Sequence, residues 1–276
     1  MSALAGKTIF ISGGSRGIGH AIAERAARDG ANVALIAKTA EPHPKLEGTI
    51  YTAAEAIESA GGQALPIVGD IRDADQAAAA VEQAAERFGG IDICVNNASA
   101  INLAGTEALE PKRYDLMQDV NTRGTFFVSR ACIQQLKQAD NPHVLTLSPP
   151  LSLDPKWFKN HLGYTLSKFG MSMCTLGMAE EFRDDGIAFN SLWPRTLVAT
   201  AAVQNLLGGD AAMQGSRKPA IMADAAHAIL TRPSGEATGN FFLAEDVLAE
   251  EGVTDLGDYS YGGSDSELVT DLFVED

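Results

Sequence analysis

The sequence predicts one α/β domain, built on a single doubly wound parallel sheet of about seven strands with helices on both faces. Short apolar runs alternate with longer segments whose apolar residues recur at helical spacing, which is typical of parallel strands joined by crossover helices. Hydrophobic residues make up 45% of the 276 residues, enough for a large core. No stretch rich in Pro, Gly or Ser divides the body. These observations favour one domain over two.

The elements follow in order from the apolar pattern. The short apolar runs predict strands at residues 8–11, 33–37, 64–68, 91–95, 144–147, 187–193 and 240–244. The amphipathic segments between them predict helices at residues 18–29, 53–60, 74–88, 122–138, 164–183 and 220–231. Gly30 and Gly61 end the first two helices, because glycine readily adopts the left-handed conformation that closes a helix. Right-handed crossovers then place helices on both faces of the sheet.

Two segments and the C-terminal end stand apart from this pattern. Residues 38–48 form an unusually long loop, and the irregular segment near 195–217 is expected to be a mobile substrate loop. No Lys or Arg follows Arg232, whereas twelve of the 36 acidic residues lie from Glu236 onward. We therefore expect a domain at residues 1–245 and an acidic tail at 246–276. Acidic and apolar residues mix along the tail, which suits docking on the body or on a partner subunit, but also a frayed end.

Composition excludes several classes of function. The net charge of −15 argues against nucleic acid or an anionic membrane as a partner. No apolar run approaches the roughly 20 residues of a membrane-spanning helix, and no leader pattern is evident, so cytoplasmic residence is expected. The three cysteines, Cys94, Cys132 and Cys174, are widely spaced, and the histidines form no metal-binding motif. Neither a disulfide framework nor a metal site is expected.

A glycine-rich turn lies between the first predicted strand and the first helix. Residues 12–19 read Ser-Gly-Gly-Ser-Arg-Gly-Ile-Gly. Glycines at these positions permit a tight turn and let a pyrophosphate approach backbone amides at the start of a helix. The turn predicts a Rossmann-type dinucleotide site. The residues expected to contact the dinucleotide here are Gly13, Ser15, Arg16, Gly17, Ile18 and Gly19.

The end of the second strand discriminates between the two nicotinamide dinucleotides. An NAD site usually offers a carboxylate there to the ribose 2′-hydroxyl, but this strand ends Ile-Ala-Lys at Lys38. Lys38 and Arg16 are placed to bind a 2′-phosphate instead, with His43 and Lys45 as possible helpers. The sequence therefore favours NADP as the cofactor.

Tyr164 and Lys168 lie four residues apart on a predicted helix, so their side chains share one face. Free tyrosine has a pKa of about 10 and is a poor base at neutral pH. A neighbouring ammonium stabilises the phenolate and lowers that pKa, which makes proton exchange with a substrate hydroxyl feasible. The pair is a candidate acid/base centre.

With these motifs in this order, residues 7–244 resemble the short-chain dehydrogenase/reductase family. The resemblance implies that Tyr164 is the acid/base, that Lys168 also binds the nicotinamide ribose, and that Asn121 anchors a proton-conducting water. It also implies further cofactor contacts after the third, fourth and sixth strands. These contacts are Asp70, Ile71, Asn97, Ala98, Pro194, Thr196 and Leu197.

The sequence departs from the family pattern at two places. The catalytic serine of the family would fall near Leu151, where the sequence reads Leu-Ser-Pro-Pro-Leu-Ser from residue 147. Ser148 or Ser152 is then expected to hydrogen-bond the substrate oxygen, and Ser148 is favoured. The family's Pro-Gly after the sixth strand is Pro194-Arg195, so a narrow or charged pocket entrance is expected.

Residues 37–46, 148–150 and 177–182 resemble the hydroxysteroid dehydrogenase-like subgroup of this family, which includes bacterial relatives called citronellol/citronellal dehydrogenases. The resemblance implies an NADP(H)-dependent oxidoreductase for a small hydrophobic alcohol and its aldehyde or ketone, assembled as a homodimer or homotetramer through the catalytic helix. Two alternatives stay open. One is a cofactor-binding sensor or scaffold with little catalysis, and the other is a 3-oxoacyl thioester reductase.

Overall fold

Seven parallel strands form the central sheet of the computed structural model, which describes residues 3–42, 48–262 and 267–275. In chain order the strands are β1 (Thr8–Ser12), β2 (Asn32–Ala37), β3 (Gln63–Val68), β4 (Ile93–Asn96), β5 (His143–Thr146), β6 (Ala188–Trp193) and β7 (Phe241–Leu243). Their spatial order is β3-β2-β1-β4-β5-β6-β7, and every neighbouring pair is parallel. The predicted seven-stranded, doubly wound sheet is confirmed.

Helices cover both faces of the sheet because alternate strand residues point to opposite sides. In chain order the helices are α1 (Gly17–Ala27), α2 (Ile50–Ser59), α3 (Ala74–Phe88), α4 (Pro111–Met117), α5 (Gly124–Leu136), α6 (Leu162–Glu181), α7 (Gly209–Gln214), α8 (Ala220–Leu230) and α9 (Ala244–Glu250). Ile9 and Ile11 of β1 pack with α1, α2, α8 and α9, whereas Phe10 between them packs with α3, α5 and α6. Two separate cores therefore sandwich the sheet.

Three predicted elements need correction. The helix predicted at 122–138 is preceded by α4 and by a π-helical segment, Gln118–Arg123, and α5 begins only at Gly124. The segment expected to be an irregular loop near 195–217 contains the π-helical turn Val203–Leu207 and helix α7. The last strand ends at Leu243, and α9 starts at once, with Glu245 and Asp246 in its first turn. Carboxylates at that position interact favourably with the helix dipole.

The described part of the C-terminal segment lies along the chain that follows β6. Leu197 N donates to Val269 O at 2.9 Å, and Asp271 N donates to Arg195 O at 3.0 Å. Phe273 is buried in a third apolar cluster, beside Trp193 and Tyr164. Residues 267–275 therefore form one wall of the region at the carboxyl end of β6.

No helix within the described residues is long and apolar enough to cross a membrane. The same residues contain no group of three or more His, Cys, Asp or Glu side chains placed to hold a metal ion. Cys94 and Cys132 are buried and Cys174 is half-buried, and all three are free thiols.

Candidate active site

A groove of about 830 Å³ opens at the carboxyl ends of β1 and β4, where the strand order reverses. Ligands of open α/β sheets bind at such a switch point. The groove gathers ten of the residues predicted to contact the cofactor. These are Gly13, Ser15, Arg16, Gly17, Ile18, Lys38, Asp70, Ile71, Asn97 and Ala98. Its volume lies within the range of cofactor sites.

The glycine turn packs tightly against the end of β4. A Cβ at Gly13 would lie 2.7 Å from Ala98 Cα, and one at Gly19 would lie 2.4 Å from Asn97 Nδ2. Asn97 Nδ2 in turn donates to Gly13 O at 2.8 Å. The turn is thereby held beside the N-terminus of α1, where no side chain caps the first N–H groups. This arrangement fits a dinucleotide pyrophosphate, although Gly19 itself packs against Asn97 rather than lining the groove.

Two cations lie at the end of the groove near β2. Arg16 donates from Nη2 to Gly48 O at 2.8 Å, and its buried Nε has no hydrogen-bond partner among the described residues. Lys38 Nζ lies 3.7 Å from Asp70 Oδ2 and is largely exposed. Burial acts to raise the pKa of Asp70, but hydrogen bonds from Arg72 and the charge of Lys38 hold that pKa below its ordinary value. The predicted helpers His43 and Lys45 lie outside the described residues.

Tyr164 and Lys168 occupy one buried face of α6, as their spacing predicts. Lys168 Nζ donates to Leu147 O at 2.6 Å and lies 4.8 Å from the centre of the Trp193 ring. Burial lowers the pKa of Lys168 to about 7, while the charge of Asp271 acts in the opposite direction. The ammonium is thus held by a carbonyl and an aromatic face, and it is easily neutralised.

The environment of Tyr164 differs from the sequence expectation. Burial raises the pKa of its phenol well above the ordinary value, and the charge of Asp271 raises it further. The lowering expected from Lys168 is not seen; the Nζ of Lys168 donates to Leu147 O. Tyr164 is therefore held as a neutral phenol, the form that donates a proton.

Asn121 lies on the π-helical segment and is fully buried. Its Oδ1 accepts from Ala100 N at 2.7 Å, and its Nδ2 donates to Ala100 O at 2.9 Å and to Ser167 Oγ at 2.8 Å. The side chain therefore joins the loop after β4 to helix α6. These contacts assign it a positioning role, and the water-anchoring role implied by the family stays a prediction.

Neither candidate serine lies in the cavity that contains Tyr164. Ser148 is fully buried, and its hydroxyl lies 2.9 Å from Ser191 Oγ, which donates to Thr175 Oγ1. Ser152 Oγ accepts from Asp154 N at 3.3 Å in the following turn. At the position where the family serine would align, Leu151 packs against the apolar cluster around Phe273.

A second cavity of about 170 Å³ adjoins the groove and contains Tyr164 and Lys168. Its walls are mainly apolar, formed by Ile101, Leu147, Trp193, Pro194, Leu197, Val198, Val203, Leu207, Met222 and Leu272. Asp271 also lines it and brings a carboxyl group into the apolar surroundings. Asp271 was not among the residues predicted for the site, because it lies in the acidic segment at 246–276. The run Asp-Leu-Phe-Val at 271–274, an acid followed by apolar residues, is the signal that could have pointed to it.

The segment after β6 departs from the expected arrangement. Arg195 was expected to narrow or charge the pocket entrance, but its Nη2 pairs with Asp246 at 2.7 Å and its side chain does not line the cavity. Thr196 Oγ1 donates to Glu245 Oε1 at 3.3 Å and likewise points elsewhere. Thr200 lines both the groove and the cavity instead. The carboxylates of α9 thus draw the polar side chains of this segment away from the site.

Fold and site together define a dinucleotide-binding oxidoreductase, with a glycine turn at the switch point and a tyrosine–lysine pair in the adjoining cavity. Residues 7–209 match the family model described as short chain dehydrogenase. The chain belongs to the short-chain dehydrogenase/reductase family, whose members are NAD(P)-binding oxidoreductases.

Several similar curated proteins share one name. The chain is 59% identical over 272 residues to hydroxysteroid dehydrogenase-like protein 2 of Danio rerio, covering 99% of this chain and 65% of that protein. It is 56% identical over 257 residues to the Homo sapiens protein of the same name, covering 93% of this chain and 61% of that protein. The chain therefore spans less than two thirds of these relatives. A solved short-chain dehydrogenase of Mycobacterium thermoresistibile is 64% identical, with a TM-score of 0.93 and coverage of 99% and 96%.

Proposed function

We propose that this chain is an NADP(H)-dependent oxidoreductase that interconverts a small hydrophobic alcohol and its aldehyde or ketone. The observation that carries the proposal is the placement of Tyr164 and Lys168 in one small, mainly apolar cavity. That cavity shares Asn97, Ser99 and Thr200 with the dinucleotide groove. A substrate bound there would lie beside the nicotinamide end of a bound cofactor.

The chemistry divides between cofactor and protein. When bound, the nicotinamide supplies or accepts the hydride at the substrate carbon. Tyr164, held neutral by burial, donates its proton to the carbonyl oxygen during reduction. Lys168 lies beside Leu147 O and the Trp193 ring, from where its remaining N–H groups would hold the nicotinamide ribose of a bound cofactor. The apolar walls exclude water from the reacting carbon.

The preference for NADP rests on charge at one end of the groove. Arg16 and Lys38 both line it, and no carboxylate ends β2. Asp70 lies nearby, but it is neutralised by Arg72 at 2.6 Å. The buried Nε of Arg16, which has no partner in the part of the chain that the structure describes, is a donor that a 2′-phosphate oxygen would satisfy.

The ion pairs and hydrogen bonds of three other basic side chains disfavour a carrier-bound thioester as the substrate. Such a substrate would need a basic mouth made by Arg195, Arg217 and Lys218. Arg195 pairs with Asp246, Arg217 donates to Leu256 O, and Lys218 donates to Asp258 O. A neutral, compact substrate suits the cavity better.

An exposed apolar stripe on α6 supports the proposed homo-oligomer. Met173 and Leu176 are more than half exposed, whereas Met171 and Met178 of the same helix are buried in the core. Exposed apolar side chains grouped in this way are typical of a subunit interface.

The test measures binding and turnover separately. NADPH and NADH binding is followed by nicotinamide fluorescence, and oxidation of each is then measured with terpenoid, steroid and acyl carbonyls. Tyr164→Phe should lower kcat about 100- to 10,000-fold, the usual contribution of a general acid, with NADPH affinity unchanged. Tyr51→Phe, at an exposed position on α2, is the matched control.

Either of two results would contradict the proposal. Turnover that survives in Tyr164→Phe removes tyrosine acid/base chemistry. Tight NADPH binding with no turnover across the panel favours a cofactor-binding protein with little catalysis, a function that the burial of Ser148 behind Ser191 also suits.

A further inference from the structure

The C-terminal segment brings a carboxyl group into the substrate cavity and holds it there. Asp271 N donates to Arg195 O at 3.0 Å, and Leu272 N donates to Asp271 Oδ1 at 2.7 Å. On the next residue, Leu272 O accepts from Trp193 Nε1 at 2.8 Å. The position of the Asp271 carboxyl group is therefore fixed by hydrogen bonds of the backbone at Asp271 and at Leu272.

Three ionisable side chains among the described residues line this cavity and not the dinucleotide groove: Tyr164, Lys168 and Asp271. Lys168 Nζ already donates to Leu147 O. Tyr164 supplies the proton in the proposed reaction. Asp271 is the one of these three side chains that has no role in the proposed reaction described above.

The cavity also lacks the serine that the family pattern places beside the substrate oxygen; the serine and threonine side chains that do line it, Ser99 and Thr200, lie at its border with the dinucleotide groove. Leu151 stands at that position, and Ser148 is hydrogen-bonded to Ser191. A carbonyl oxygen in this cavity would receive one hydrogen bond from Tyr164 and would need a second donor to hold it in place. A carboxylic acid can be that donor, as long as it carries its proton.

The surroundings of Asp271 favour the protonated form. Burial raises its pKa to about 7, although the hydrogen bond from Leu272 N and the charge of Lys168 act to lower it. The charge of Glu245 on α9 also acts to raise this pKa. The groups that face Asp271 are thus Lys168 and Tyr164 from α6 and Glu245 from α9. An ionised Asp271 would in addition oppose the phenolate of Tyr164, so a neutral Asp271 favours proton transfer from the tyrosine.

We propose that Asp271 is a further catalytic residue, which donates a hydrogen bond from its neutral carboxyl group to the substrate oxygen in place of the missing serine. This inference rests on the proposed function. In reduction, the carbonyl carbon accepts hydride from the reduced nicotinamide, the π electron pair moves to oxygen, and that oxygen takes the proton of Tyr164. Asp271 keeps its proton throughout, and the Tyr164 phenolate is reprotonated from solvent.

Three variants separate this role from a structural one. Asp271→Asn keeps a neutral donor of the same shape, Asp271→Leu removes the donor while keeping the volume, and Asp258→Asn at an exposed position is the control. In carbonyl reduction, Asp271→Leu should lose about 100-fold or more in kcat, as for loss of one oxyanion donor. Asp271→Asn should lose less than about tenfold. NADPH affinity should be unchanged in all three.

The pH profile gives a second test. Wild-type kcat for reduction should fall as pH rises through about 7, because Asp271 then loses the proton that it shares with the substrate oxygen. Burial also lowers the pKa of Lys168 to about 7, so Asp271→Asn should change the midpoint and shape of that alkaline limb rather than abolish it. An Asn variant whose limb is identical to that of wild type, or a Leu variant with wild-type kcat, overturns the inference and leaves the proposed function standing.

A readout independent of turnover completes the test. The infrared difference spectrum between wild type and Asp271→Asn should show the C=O stretch of a protonated carboxylic acid below about pH 6, lost above about pH 8. If that band is absent at low pH, the inference fails whatever the turnover. If wild type reduces none of the panel, the proposed function and the inference fall together, since no substrate oxygen remains for Asp271 to bind.

Discussion

Replacing Phe273 with Ala should release the C-terminal segment from the substrate cavity without unfolding the domain. The Phe273 side chain is 3% exposed and lies within 5.3–6.2 Å, centre to centre, of the rings of Phe169, Trp157, His161, Tyr164 and Trp193. Its φ of 69° is in the left-handed region, which disfavours phenylalanine. The burial of the ring must therefore offset a backbone cost as well.

The expected magnitude follows from that burial. Truncation of a buried phenylalanine costs about 3–5 kcal/mol, and we take about 3 kcal/mol because residues near the chain end can relax. That is a factor of about 100 in the docking equilibrium of residues 267–275. Phe273 belongs to neither of the two cores on the sheet faces. Because the loss is local, Tm should fall by less than about 3 °C, whereas a global loss of this size would lower it by about 6–12 °C.

Hydrogen exchange measured by mass spectrometry tests the reasoning. Leu197 N–H, which donates to Val269 O, should lose protection in Phe273→Ala, and kcat/KM should fall with it. Leu153→Ala, at a strongly exposed apolar side chain, is the control. Unchanged protection at Leu197 would refute the docking role of Phe273. A drop in Tm of about 10 °C would show instead that the segment unfolds together with the core.

Two further predictions concern cofactor choice and assembly. Lys38→Asp should weaken NADPH binding about 10- to 100-fold and strengthen NADH binding, because the new carboxylate repels a 2′-phosphate and accepts a hydrogen bond from a 2′-hydroxyl. Fluorescence titration measures both affinities, and an unchanged preference would assign the selectivity to Arg16. Met173→Glu should dissociate the proposed oligomer but leave the Tm of the protomer nearly unchanged, because Met173 is exposed on α6. Sedimentation velocity measures the dissociation, and an unaltered sedimentation coefficient would place the interface elsewhere.

Elements whose ends are encoded locally can be predicted from this sequence. Helix α3 has the predicted bounds because the Asp73 side chain accepts from Asp75 N and Gln76 N at its start, and Gly89 with a φ of 87° closes it. Helix α4 offers no such pattern. Met117 is its one buried residue, so apolar periodicity is absent and the helix is missed.

The residues of the candidate site also fall into those that local sequence pattern can place and those that it cannot. Tyr164 and Lys168 can be placed from sequence because helical spacing alone puts them on one face. The direction of Ser148 cannot, since it depends on Ser191 of β6, a residue distant in sequence. Asp271 reaches the cavity through backbone pairing with the Arg195 segment, a non-local contact that composition conceals. The acidic and apolar pattern of the tail therefore left docking and fraying open, and it could not show that residues 267–275 line the cavity.

The charge of that segment also shapes what the cavity can accept. Arg195 pairs with Asp246, and Arg232 pairs with Glu250, so carboxylates of α9 neutralise cations near the end of the sheet. Within the described residues that line the cavity, Lys168 is the single cation, and burial lowers its pKa to about 7. An anionic substrate would thus lose its hydration without gaining a full positive charge in return. A neutral carbonyl compound avoids that cost, because it needs only hydrogen bonds from Tyr164 and from the protonated carboxyl that we propose at Asp271.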